Sequence, residues 1–517
     1  MGGVPFFQKK ELMGYNVVIF VGKKDAKFYE HILSHFPIHY CLAISKHKDF
    51  VPNVEASEFE WRHPFDLRDI DWNTITPLDE ALIEKMRHCE ARAIQMYERL
   101  EKRGHSAPYG ERKRLYTQML RYCNHILSEK KIDLVITTDA PHHSITYITY
   151  ALCKEKGIPF LFPYHVDPIV DVYYLQEDWE DPAPVLARRF TQLRAESPAE
   201  VKLAPLFESY WNAQTGKKTA KGKTDPSPWY MSLHFASPLE QWFSAIRKTF
   251  RKNPLGTLRD ILLFIPRRLK ISFLKERVRR IASKRFTHSL ITFYDSHVCV
   301  PDLSQRYVYV PLQIQPEPTT LPMGGAYVDQ LLIVEMLDAL LHKDVLILVK
   351  EHPQQFGFYS HGQGRSIKFY EDLLACKKVR FVSMKFDTYS LTEHAVAVAT
   401  ATGTAGFEAL FREKPVLLFG HRFYQYAPGV FMIRRTSDCR EALHAIFAEG
   451  FCPKREDMRL FLKAIEETSV EGSFEFSRRG VSRFSEEENA RRAGDAFATL
   501  MEGKFGWHRK AGNIHAH

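Results

Sequence analysis

The chain has 517 residues, 45% of them hydrophobic and 26% charged, with a formal net charge of +10. That is too long for one hydrophobic core, so two or three domains are expected, and the composition is that of a globular protein. Eight scattered cysteines with no Cys-x-x-Cys pair argue against a zinc site and a disulfide framework, no apolar run approaches the ~20 residues of a membrane helix, and the amino terminus lacks a signal-peptide layout.

The first 212 residues alternate strand-like and helix-like segments. "YNVVIFVG" (15–22) reads as an aliphatic strand, "DAKFYEHILSHF" as a helix and "HYCLAIS" as a second strand. A long helical stretch is expected from Leu78 to Glu129, then the strand "KIDLVITTDAPHHS", a helix to Lys156 and the strand "IPFLFPYH". This pattern predicts an α/β domain with a mostly parallel sheet. From 213 to 300 the sequence changes. "AQTGKKTAKGKTDPSP" has too little apolar surface to order itself, and residues 247–285 carry 14 Lys and Arg against only Asp260 and Glu276. Leu, Ile and Phe are interleaved with those charges, so 247–285 reads as a solvated connector, as an amphipathic helix on an anionic membrane surface, or as a site for an acceptor carrying phosphates. No base-reading motif or aromatic platform accompanies it, so nucleic acid is not an expected partner.

A second alternation runs from 301 to 484: "YVYVPL", "AYVDQLLIVEMLDALLH", "DVLILVKEHP", a helix near 366–376, "VRFVS", "AVAVATATGTAGFEALF", "KPVLLFG", "VFMIRR" and a helix at 438–449. Residues 485–517 begin with a Ser485/Glu488 capping box and an apolar stripe, so this helix is expected to pack back across the cleft between two Rossmann-like domains. Ligands in such sheets bind beyond the carboxyl ends of the strands.

Three strand ends of the second domain carry costly residues. The first is the Pro-punctuated loop with Gln315, Glu317, Thr319 and Thr320, stiff enough to hold a ligand with little ordering entropy. The second is Lys350, Glu351, His352 and Pro353. The proline ends the ladder and directs His352, which can hydrogen-bond or, as a cationic acid, protonate a departing phosphate, with Lys350 as fixed charge. A second His-Pro, at 63–64, follows no aliphatic strand. The third is Thr402, Gly403, Thr404, Ala405 and Gly406 at a helix start, small enough for backbone amides to approach an anion, with Glu408 one turn in for ribose hydroxyls. It is neither a Walker loop nor a dinucleotide turn. Together the three describe a nucleotide-sugar site. No Asp-x-Asp cluster accompanies them, so no metal is expected.

The runs "PLQIQPEPTTLPMGGAYVDQ", "VKEHPQQ" and "TATGTAGFEALFREKPVLLFG", in this order over roughly 300–425, resemble the bacterial capsule polysaccharide biosynthesis family, which includes Kdo transferases of GT-B fold. The resemblance implies that His352, Pro353, Thr402, Gly403 and Thr404 hold the CMP of a CMP-activated sugar. It leaves the acceptor side open, because no acidic catalytic motif matches. The best candidate there is "TTDAPHHS", with Asp139 as base or nucleophile beside His142 and His143, followed by His165 and Asp167 in "PYHVDP". The expected function is glycosyl transfer from a Kdo- or sialic-acid-like CMP-sugar to a surface glycan or lipid-linked acceptor, in the cytoplasm, at the inner membrane face. The alternatives are a UDP-sugar transferase or 2-epimerase of the same fold, and a non-catalytic glycan-binding assembly factor.

Overall fold

The computed structural model describes residues 14–23, 25–64, 66–100, 107–196, 200–216, 271–317, 319–356, 364–474 and 482–510. The expected loop from 213 begins with the end of a helix, and its remainder from 217 and most of the basic stretch 247–285 lie outside the described residues.

The first sheet gathers β1 (Tyr15–Phe20), β2 (Ile38–Ile44), β3 (Ala56–Arg62), β4 (Leu134–Thr137), β5 (Phe160–His165), β6 (Val172–Gln176) and, from the far end of the chain, β14 (Val470–Glu471). Its order is β14-β6-β5-β4-β1-β2-β3, parallel from β5 to β3, with β6 antiparallel to both of its neighbours. The aliphatic runs of β1, β2, β4 and β5 are buried, as a sheet covered on both faces requires. Its helices include α1 (Ala26–Ser34), α2 (Arg87–Leu100), α3 (Tyr109–Glu129), α4 (Ser144–Lys156), α5 (Pro184–Glu196) and α6 (Pro205–Thr215). The continuous helix expected from Leu78 to Glu129 is instead broken: the short helix Glu80–Lys85 ends at Met86, whose φ/ψ of −93° and 10° leave the helical region, before α2 begins.

The second sheet contains β7 (Val298–Cys299), β8 (Tyr307–Pro311), β9 (Leu346–Lys350), β10 (Val379–Val382), β11 (Ala397–Thr400), β12 (Val416–Leu418) and β13 (Val430–Met432). All of its pairs are parallel, in the order β13-β12-β11-β8-β9-β10-β7. Around it pack α7 (Ile271–Ser296), α8 (Leu331–Leu340) and α9 (Thr404–Leu410), among others. Helix α7 corrects the expected boundary at 301. Leu290 and Tyr294, four residues apart on one helix face, are fully buried in this domain's core, and the Tyr294 hydroxyl donates to the Val382 carbonyl at 2.7 Å. The end of the supposed connector is therefore part of the second domain.

The chain returns to the first domain earlier than 485. Helix α10 (Arg455–Thr468) lays Phe461 against Phe190 of α5, their ring centroids 5.2 Å apart. β14 then joins the first sheet, and α11 (Glu486–Phe505) packs on α1. Gly494 makes that crossing close, since a Cβ there would lie 3.0 Å from the Cβ of His31. Trp507 finally stacks on Tyr15 at 3.7 Å. The expected carboxyl-terminal helix packing back is thus found, preceded by a helix and a strand that the sequence pattern did not separate from the second domain.

Candidate functional site

Each sheet reverses its winding direction at one point, and that is where an open α/β sheet leaves a crevice. In the first domain the reversal lies between β1 and β4, in the second between β8 and β11. The carboxyl ends of the two sheets meet. The Asp167 carboxylate lies 3.5 Å from the buried Arg422 guanidinium, His421 Nδ1 is 2.8 Å from the Glu180 carbonyl, and Arg92 donates to the Pro322 carbonyl at 3.0 Å.

At the second crevice the β8 end is bound to the β11 end by Gln313, whose amide donates to Thr400 Oγ1 at 2.8 Å and accepts from the Ala401 amide at 3.3 Å. Gln315 and Gln355 exchange side-chain and backbone bonds at 2.7 Å in each direction, joining the β8 and β9 loops. Gln315 also donates to Thr320 Oγ1 at 2.8 Å. Both residues are buried, so they brace the loop, while Glu317 and Thr319 remain partly exposed.

The end of β9 divides its four residues by role. Lys350 points to the neighbouring loop, where Nζ donates to the Phe386 carbonyl (2.7 Å) and Thr388 Oγ1 (2.6 Å), and burial lowers its pKa to about 8. Glu351 is fully buried. Its carboxylate accepts from Arg365 Nε (2.7 Å), the Tyr370 hydroxyl (2.7 Å) and the His352 amide (2.8 Å). It anchors the turn that carries the histidine. His352 Nδ1 accepts from the Gln354 amide at 3.1 Å, so the ring proton resides on Nε2. Burial lowers the His352 pKa to about 4, with Lys350 and Arg365 acting in the same direction against Glu351. The expected cationic acid is therefore a neutral, oriented N–H donor at neutral pH.

A pH dependence follows. The folded pKa of about 4 lies below the ordinary 6.5. The unfolded chain thus binds the extra proton first, and the stability this ring contributes is complete above pH 6.5 and lost as pH falls toward 4. Urea unfolding between pH 4 and 7 should show this loss in wild type and a shallower one in His352→Gln. Parallel curves would contradict it.

Around the helix start, the two glycines are packed by neighbouring side chains. The Gly403 amide donates to Thr400 Oγ1 at 3.0 Å and the Gly406 amide to the Gly403 carbonyl at 3.2 Å. A Cβ at 403 would lie 2.8 Å from Thr400 Oγ1, and one at 406 would lie 2.7 Å from the Tyr424 hydroxyl. These glycines admit neighbouring side chains, and Glu408 is buried. One polar atom stands out: Thr402 Oγ1 is buried with no hydrogen-bond partner among the described residues, an arrangement that costs about 1–3 kcal/mol unless a ligand satisfies it. Thr404 and Ala405 open α9 beside it, and Pro353 is exposed at the far side of His352.

At the first crevice Asp25 bridges the β1 and β4 ends, accepting from the Gly22 amide (3.1 Å) and the Thr138 hydroxyl (2.8 Å). Asp139 follows at once, with its side chain 47% exposed and its carboxylate 3.7 Å from His142 Nδ1. His142 Nδ1 lies 2.8 Å from the Ala140 carbonyl, and the His142 and His143 ring centroids are 4.1 Å apart. One ligand atom from each of Asp139, His142 and His143 lies within 4.8 Å of the others, a group that could hold a metal ion. His165 is separate. It is buried, its Nε2 accepts from the Phe474 amide at 3.4 Å, and it is covered by the returning chain. Sequence reasoning missed Asp25, Arg365 and Arg422, each of which takes its role from a partner distant along the chain.

Two Rossmann-like domains joined at their strand ends, with the candidate residues at both winding reversals, make this a GT-B-type α/β protein. Residues 281–442 match the family model described as capsule polysaccharide biosynthesis protein. A comparison with curated proteins finds no significant match. Among solved structures, the Thermosulfurimonas dismutans KpsC, beta Kdo 2,7 transferase, aligns over 78% of this chain and 95% of its own at 12% identity and TM-score 0.28. The UDP-GlcNAc 2-epimerase of Methanocaldococcus jannaschii aligns over 94% and 99% at 10% identity and TM-score 0.26. A glycosyltransferase from Rickettsia africae aligns over 95% and 100% at 11% identity and TM-score 0.25. The fold assignment rests on the strand order, not on these alignments. No described helix is long and apolar enough to cross a membrane.

Proposed function

We propose that the chain is a glycosyltransferase that takes a Kdo- or sialic-acid-like sugar from a CMP-activated donor and adds it to a capsular or other surface glycan. The observation that carries this reading is the His352 turn. A neutral imidazole has its tautomer set by the Gln354 amide and its backbone held by the buried Glu351, one strand from the winding reversal where Thr402 Oγ1 lacks a partner. A fixed N–H donor there stabilises charge developing on a departing phosphate without reorganising during the reaction. The Thr402 hydroxyl and the α9 start would take the remaining phosphate oxygens. Asp139, at the facing reversal, would deprotonate the acceptor or trap the sugar. The basic segment 247–285 would hold the enzyme on an anionic membrane close to a lipid-linked acceptor.

The test is release of free nucleotide from CMP-Kdo, CMP-sialic acid and UDP-GlcNAc, followed with and without a glycan acceptor. Acceptor-stimulated CMP release is expected. Release of UDP, or epimerisation of UDP-GlcNAc without release, would replace this reading with the UDP-sugar one. No turnover of any donor would favour a non-catalytic assembly role.

A further inference from the structure

Where the two domains meet, a group of cationic and N–H donor side chains has no carboxylate in hydrogen-bond or ion-pair contact among the described residues. Trp179 follows β6 and is buried. The Arg92 guanidinium of α2 lies over its ring at 4.8 Å, and the His421 ring, from the end of β12, meets its edge at 5.2 Å. Arg434, after β13, brings Nη2 within 3.4 Å of His421 Nδ1. Burial lowers the His421 pKa, and the charges of Arg434 and Arg92 act in the same direction against Glu180.

The carboxylates nearby are engaged elsewhere. Glu180 offers its backbone carbonyl to His421 while its carboxylate goes to Lys154 at 3.2 Å. Asp438 accepts from the backbone amides of Arg434 and Arg435 at 2.9 and 2.8 Å. Arg434 is left donating to main-chain carbonyls, those of Phe419 and Gly420 at 2.9 Å each, and Arg92 to that of Pro322 at 3.0 Å. Independently, the Trp179 indole N–H is buried with no acceptor among the described residues. Like charges gathered beside an orphaned donor cost folding free energy, which a bound anion would offset.

We propose that Arg92, Trp179, His421 and Arg434 form a subsite for an anionic group, a carboxylate or a phosphate monoester, of a substrate spanning the two domains. Arg92 comes from one domain and His421 and Arg434 from the other, so the anion would bind where the domains touch and favour their contact. This deepens the transferase reading and rests on it: such a group is either the carboxylate of a sugar acid or the phosphate of a lipid-linked acceptor.

Two probes separate the sources, with sodium chloride of matched ionic strength as control. The full chain is titrated with free Kdo and with phenyl phosphate, and thermal unfolding is followed. One of the two is expected to stabilise wild type saturably. Its half-saturation concentration should rise at least tenfold in Arg92→Gln and in Arg434→Gln, and stay unchanged in Arg440→Gln, an exposed cation on another face. If Arg434→Gln fails to fold, Arg434→Lys keeps the charge but loses the planar fork, and should still show a severalfold rise. Preference for Kdo assigns the subsite to a sugar carboxylate, and preference for phenyl phosphate assigns it to a carrier phosphate. No shift beyond the chloride control overturns the inference. So does equal half-saturation in wild type and all variants, which is the behaviour of an adventitious ion only. CMP in the same proteins reports on His352 separately. A chain that binds CMP but neither anion sinks only this inference, and one that binds an anion but not CMP sinks only the nucleotide assignment.

Discussion

Arg365→Ala is expected to destabilise the second domain by about 3–5 kcal/mol, because it leaves the fully buried Glu351 carboxylate without its countercharge. The Tyr370 hydroxyl and the His352 amide would remain, but neither carries charge. Arg365 also donates Nη2 to the Gln313 carbonyl at 2.8 Å, so its loss frees one side of the β8 loop. Removing both charges is a different case. Glu351→Gln with Arg365→Met should recover much of the loss, since a neutral pair avoids a buried unpaired ion. Urea unfolding of the two single variants and the double variant would check this. Equal or additive destabilisation would mean that the ion pair is not what holds the turn.

His352→Ala is expected to lower the turnover of a CMP-sugar by about 10²–10³-fold, the usual cost of removing one donor aimed at developing charge. Some stability should be lost at neutral pH with the largely buried ring, but the turn should still fold. The ring's visible hydrogen bond is with the Gln354 amide, and the turn itself is held by Glu351. His352→Gln, which keeps an N–H donor, should recover part of the rate. Initial rates of CMP release, read beside melting curves, separate the two effects. A folded variant that turns over at the wild-type rate would remove His352 from the reaction.

Much of the second domain was legible because its strands are apolar-rich runs of three to five residues, several of them ending in polar or proline residues, and all six that the pattern marked are present. The first domain was less so. β3, "ASEFEWR", lies at the sheet edge with mostly exposed side chains and reads as polar loop. β14 is two residues long and pairs with a strand about 300 positions earlier, a contact that no local pattern encodes. The His352 motif was visible for the same reason as its strand, but the division of labour inside it was not. Lys350 and Glu351 look alike as costly charges. Only their partners, Thr388 and Arg365, show that both serve the scaffold. Gly403 and Gly406 suggested an anion cradle, because a small residue beside a helix start signals close approach without saying of what. Here it is Gln313, Thr400 and Tyr424 that approach.

The crevice between β8 and β11 is expected to bind a cytidine nucleotide through His352. Thermal unfolding of wild type and His352→Ala with CMP, UDP and GDP tests it directly, since a ligand at a hundred times its dissociation constant stabilises by about 2.7 kcal/mol. The predicted result is a rise in melting temperature with CMP that is absent with UDP and GDP and lost in the variant. A rise with UDP alone, or no rise with any nucleotide, would contradict it.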